Sequence, residues 1–242
     1  MPELAAITLV THLNALQHTP LSADVAASQV AHADVAHHVV DPEGLLGLDP
    51  LRANDLTTTL LAVQLLAPGS WLLALPRPGA LGVLRGPPAL TTAALQAGAA
   101  VVHADGGWAF VPHRVGPAVQ WQVLPAARPF PSPGSAEAER VLATEVISAS
   151  RELARLDAAS GARPEVELPA GVLPAAYPAR QQRAAERALR LLTVAETALA
   201  DDRDVLSSFA VTQRAEVLRR LEAAATDALC AACAWPEEVP RR

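Results

Sequence analysis

The apolar positions of this chain follow two regimes. Up to residue 124 they come in short runs broken by glycine, proline and small polar residues; beyond residue 135 they recur at helical spacing. In the first regime "PELAAITLVTHLNALQ" predicts a helix, and "SADVAASQVA" predicts a second, with Ser22 at its N-cap. "HHVV" is short and β-branched at its end, which suits a strand. "NDLTTTLLAVQLLAPG" predicts a helix opened by Asn54 or Asp55 and stopped at Pro68-Gly69. "WLLALP" reads as a buried strand and "LTTAALQAG" as a short helix ending at Gly98. "AAVVHA" and "WAFVPH" flank Asp105-Gly106, a strong hairpin signal because tight hairpin turns need positive φ. "AVQWQVL" alternates and supplies a further strand.

In the second regime three apolar stripes appear. They are Leu142, Val146, Ala149, Leu153 and Leu156; Ala185, Ala188, Leu192, Ala195 and Leu199; and Leu218, Leu221, Ala225, Ala228 and Ala232. Each stripe lies on one helical face, so the pattern predicts three helices packed side by side. Glu186–Arg190 and Glu216–Arg220 stand four apart in the order that favours an ion pair within one helix. The expected fold class is therefore α+β. Residues 1–124 form a mixed α/β domain with antiparallel strands, 125–134 a proline-rich linker, 135–235 a three-helix bundle and 236–242 a tail. The proline-rich stretch 160–177 is expected to run over the surface or back onto the first domain.

Composition narrows the function. The net charge is −6, whereas a sequence-independent nucleic-acid binder is usually basic, and aromatics are only 3%. No nucleic acid is expected as a partner. The charge-free stretch from Leu56 to Pro76 is long enough to cross a membrane, but Pro68, Gly69 and Ser70 interrupt it, and we read a helix followed by a strand. The N-terminus "MPELAAITLV" carries an acid where a secretion signal needs basic residues, so a cytoplasmic protein without membrane contact is expected. All 19 basic residues are arginine and 52 residues are alanine, the coding bias of a high-GC bacterial genome.

Five stretches carry candidate chemistry. In "AHADVAHHVVDPEG", Asp34 and His38 share a face on a helix and on a strand, which makes them a candidate pair of metal ligands. Two ligands fall short of the three or four a zinc site needs, and a helix end leading into a strand accounts for the stretch equally. "LPRPGALGVLRGPP" links a strand to a helix; Gly79, Gly82 and Gly86 let backbone approach a ligand, while Arg77 and Arg85 supply positive charge. It fits neither the P-loop nor the dinucleotide fingerprint. Arg180, Arg183, Arg187 and Arg190 form a stripe opposite Ala185, Ala188 and Leu192, suited to an acidic partner, to phosphates or to solvent. Cys230 and Cys233 lie at the C-terminal end of a helix, the wrong pole for a reactive thiolate, and read as small buried residues. Asp201–Asp204 ("DDRD") could offer oxygens to a divalent cation but reads first as a polar turn between two helices.

The loop 75–88, with "AALQAGAAVV" after it, resembles an uncharacterised protein family of high-GC Gram-positive bacteria. In that family a similar strand leads to a Pro-Gly-acid turn, and the next helix ends in Ala-Gly-acid. Ala80 and Ala99 stand here where those acids are expected. The resemblance implies kinship and no particular activity.

No nucleophile elbow, HExxH or Walker lysine occurs. The leading reading is a non-catalytic protein–protein interaction module that meets an unknown protein partner or a second copy of itself, with no cofactor. The alternative is a small-anion-binding protein or enzyme using loop 77–88, and a third reading is a metalloprotein using Asp34 and His38.

Overall fold

The computed structural model describes residues 2–156, 171–200 and 208–236. The fold is α+β, with a sheet region followed by a helical region. Its elements are α1 (Pro2–His18), α2 (Ala23–Val30), β1 (His37–Val40), β2 (Asn54–Asp55), α3 (Leu56–Leu66), β3 (Trp71–Ala74), α4 (Pro88–Ala97), β4 (Ala100–His103), β5 (Gly107–Val115), β6 (Ala118–Ala126), α5 (Ser135–Arg155), α6 (Ala179–Ala200) and α7 (Ser208–Cys233). Two compact units emerge. One comprises the sheet, α1 to α4, and two later segments, Leu173–Tyr177 and the chain from Cys233; the other comprises α5, α6 and α7 up to Ala232.

The sheet runs β2-β1-β6-β5-β4-β3. All pairings are antiparallel except β1 with β6, where His37 sits opposite Val119 and Val40 opposite Gln122. A parallel pair cannot be closed by a tight turn, and here most of the unit lies between the two strands. The longest ladder joins β5 and β6, from Gly107 opposite Ala126 to Val115 opposite Ala118. Side chains alternate across the sheet, so each face has its own core. On one face Val102, Ala109, Val111 and Leu124 pack with Leu90 and Ala94 of α4. On the other, Trp71, His103 and Phe110 form a ring cluster, with Trp71 4 to 6 Å from both neighbours (5.0 Å to His103, 5.4 Å to Phe110).

Helix α1 packs against β3, β4 and β5 and is buried nearly all round. Its threonines, His12 and Asn14 bond within the fold, while the buried Nε2 of Gln17 has no partner among the described residues. Thr11 donates to Ile7 O at 2.8 Å, and His12 Nδ1 lies 2.7 Å from Thr8 O. Asn14 Oδ1 accepts the Trp71 N–H at 2.7 Å, and its Nδ2 donates to Trp71 O at 3.0 Å and to Cys233 O at 3.3 Å. The Tyr177 hydroxyl donates to the same Cys233 carbonyl at 2.9 Å. One buried amide thus ties α1 to β3 and to the two late segments.

Sequence-predicted starts and stops recur. Ser22 caps α2 and Asp55 caps α3. Gly98 ends α4 in the left-handed region, φ 73°. The β4–β5 connection is longer than the two-residue turn that Asp105-Gly106 suggested, because Val102 pairs with Ala109. Gly106 is required there for two reasons: its φ is +83°, and a Cβ would stand 2.6 Å from Arg128 N.

Candidate functional site: an arginine-lined groove

The histidine stretch resolves into a helix end, a turn and β1, and its polar pairing differs from the one the sequence suggested. Strand alternation turns His37 inward and leaves His38 exposed. Asp34 accordingly accepts from His37 Nε2 at 3.0 Å, not from His38, and its other oxygen accepts from the Arg114 guanidinium. The Trp121 indole N–H, which can only donate, points at His37 Nδ1 at 3.1 Å. Nδ1 is therefore unprotonated, Nε2 carries the hydrogen, and the ring is neutral. Burial pushes the His37 pKa below its ordinary value, against the opposing pull of Asp34. Burial raises the Asp34 carboxyl, but the bonds from His37 and Arg114 outweigh it and hold the pKa below the usual range. Both imidazole nitrogens are used, so this Asp–His–Trp array is a structural brace with no free base. Among the described residues no group of three or more His, Cys, Asp or Glu side chains is placed to hold a metal ion.

In loop 75–88 close packing holds Gly86, whereas Gly79, Gly82 and Arg85 are exposed. Arg77 and Ala80 exchange backbone hydrogen bonds of 2.8 and 2.9 Å around Pro78-Gly79, with Gly79 at φ +83°. Gly82 also has positive φ, 58°. Gly86 lies so close to Leu90 and the Ala126–Ala127 backbone that a Cβ would sit 2.7 Å from the leucine. Arg85 accepts from Ala127 N through its carbonyl at 3.0 Å, and its guanidinium lies 5.4 Å over the Phe130 ring. Pro87 and Pro88 stand at the N-cap and first position of α4, so two N–H groups that could meet an anion are missing. Cys230 is half-buried and Cys233 buried, and neither is in a disulfide. Asp201–Asp204 lies outside the described residues.

The helical unit carries a groove of about 730 Å³ that runs between α5 and α6, and all four arginines of the α6 stripe line it. Helical periods of three and four place Arg180, Arg183, Arg187 and Arg190 on one exposed face, while Ala185, Ala188 and Leu192 are buried on the other. The α5 side contributes Leu142, Val146 and Ile147, with Glu139 at one end. Ala143, Ala184 and Ala228 also line it, and their small side chains leave the space open. Ile147 is 53% exposed and Val141, beside the buried Leu142, 51%. From Arg180 to Leu191 the wall is about 16 Å long at helical rise, an elongated trough.

Electrostatically the trough is positive on a chain that is negative overall. Four arginines face two glutamates, Glu139 and Glu186. Arg180 pairs with Glu139 at 3.3 Å. Among the described residues Arg183, Arg187 and Arg190 have no ion-pair partner. The expected Glu186–Arg190 and Glu216–Arg220 pairs do not form. Arg220 instead crosses to α5, 3.2 Å from Glu145 and 2.8 Å from Glu152, because a neighbouring helix offers two carboxylates at once. Its hydrogen bond lowers the Glu152 pKa, with a smaller part from Ser148. The lining holds no His, Cys, Ser, Thr or Tyr.

Sequence reasoning found the arginine wall but missed Ile147, Ala143 and Glu139. A signal existed: Val141 and Ile147 are apolar yet fall off the buried stripe of α5.

Fold and site together define an α+β protein with an arginine-lined trough on a C-terminal helical region. The chain belongs to the Rv1486c-like protein family, whose N-terminal domain matches residues 6–137 and whose C-terminal domain matches residues 136–230. No curated protein and no solved structure matches it.

Proposed function

We propose that this is a non-catalytic interaction protein whose helical domain docks a protein partner in the α5–α6 trough. The observation that carries this reading is the juxtaposition of the exposed Ile147 and the half-buried Val146 and Leu191 with three arginines lacking an ion-pair partner among the described residues. Apolar surface flanked by exposed charge is the composition of a recognition surface, in which the apolar part supplies affinity and the charge supplies register and rate. The lining offers no nucleophile and no imidazole, which favours binding over chemistry. The lysine-free, alanine-rich composition supports a high-GC bacterial source, and no described helix is long and apolar enough to cross a membrane. We take the setting to be the bacterial cytoplasm.

The test compares the chain with its Arg183→Glu/Arg187→Glu variant as bait in the cells that make it. Both changes are on exposed helix positions, so circular dichroism is expected to be unchanged. The reading expects a defined protein retained by the native bait and lost, at least tenfold, from the variant. Identical retention by both baits would contradict it.

A further inference from the structure

Resting on that docking reading, we infer that the occupant of the trough is an acidic amphipathic helix of another protein. Three features choose it. Firstly, the trough is about 16 Å long, some three helical turns, so it matches an extended rod better than a compact ligand. Secondly, its apolar strip, Leu142, Val146, Ile147 and Leu191, suits leucine-sized anchors recurring at three and four residues. Thirdly, Arg183, Arg187 and Arg190 repeat at those same intervals along the wall. A helix lying beside α6 meets them with carboxylates at matching spacing, as in paired charged flanks of packed helices.

Other occupants satisfy fewer of these features. A second copy binding through the same face about a two-fold axis would bring arginine near arginine. A nucleic acid would use the guanidinium groups on its phosphates but leave the apolar strip uncovered, and the lining has no aromatic ring for a base. An acidic helix covers both parts. Ala143 and Ala184 give its anchors depth, and guanidinium–carboxylate pairing at the rim rejects basic helices.

The experiment uses the full chain as bait against a displayed library of random helix-forming peptides, followed by fluorescence anisotropy of selected sequences. The inference expects peptides with an apolar stripe flanked by Asp and Glu. Their affinity should fall at least tenfold with Arg183→Glu/Arg187→Glu, fall with added salt, and be lost with Ala143→Trp, which fills the trough from an exposed position. Selection of neutral or basic peptides that still require Ala143 would overturn the acidic assignment and leave docking standing. Binding that survives Ala143→Trp would remove the docking reading as well. Recovery of no helical peptide would overturn the helix assignment, and crosslinking from the trough in cells would then decide separately whether a protein docks there.

Discussion

At the residue scale the sheet unit is braced by a few buried polar side chains that use both of their hydrogen-bonding ends, Asn14 and His37 among them. His37 is the clearest. Replacing it with alanine strands the Trp121 indole N–H, and an orphaned buried donor costs about 1–3 kcal/mol. We expect His37→Ala to lower stability in a denaturant titration by that order, with a change in tryptophan fluorescence; an unchanged midpoint would refute the brace. The pH dependence follows from the same bonds. Burial depresses the His37 pKa below its ordinary 6.5, so the unfolded chain takes up a proton first. Stability from this residue is intact above about pH 6.5 and declines as pH falls below it. His12, also depressed by burial, acts in the same window, so His37→Ala should flatten the decline without abolishing it. The sequence drew attention to Asp34 but paired it with His38. The partners that fix His37 are Trp121 and, through Asp34, Arg114, some 80 residues away in the chain, and no local spacing reveals them.

At the element scale, most helices and strands were legible because their punctuation is chemical. Asp55 illustrates this. Its carboxylate accepts from Thr58 N at 2.8 Å and Thr58 Oγ at 2.7 Å at the start of α3. Those bonds, the backbone one first, hold its pKa below the ordinary 3.8. Asp55→Ala should cost about 1 kcal/mol, the usual value of an N-cap, with the loss vanishing as acid protonates the native carboxylate. A thermal melt at neutral and at low pH would check it; an equal difference at both would be the wrong result. The strand pairing was less legible. "HHVV" announced a strand, yet its parallel seat beside β6 depends on a ladder closed across the unit. Likewise the β4–β5 connection obeys Gly106's closeness to the Arg128 backbone more than the local Asp-Gly signal.

At the scale of the whole molecule, the sheet unit is completed by residues from far along the chain. Tyr177 is buried, and burial pushes its phenol pKa up, so the hydroxyl stays protonated and donates to Cys233 O. We expect Tyr177→Ala to destabilise the sheet unit by about 3 kcal/mol, as for a buried aromatic truncated to alanine. Hydrogen exchange at the Trp71 amide, which donates to Asn14, should accelerate with it. Unchanged exchange there would show that Asn14 holds its place without Tyr177. The sequence leaves the stretch 160–177 either over the surface or back on the first domain; residues 160–170 lie outside the described residues, and nothing local showed that Tyr177 and Cys233 share one hydrogen-bond network with Asn14. The trough was half legible in the same way. The α6 arginines stood out by period, whereas the α5 wall left only the off-stripe apolar Ile147 as a signal, and its place opposite the arginines shows only when the two helices are set side by side.

Photocrosslinking in the cells that make the protein would show whether a protein occupies the trough. A benzophenone side chain would replace Ile147 in the trough and, as a control, Val35, an exposed residue of the sheet unit. The account predicts a discrete heavier adduct from position 147, absent from position 35 and abolished by Arg183→Glu/Arg187→Glu. No adduct from position 147, or the same adduct at equal yield from both positions, would contradict it.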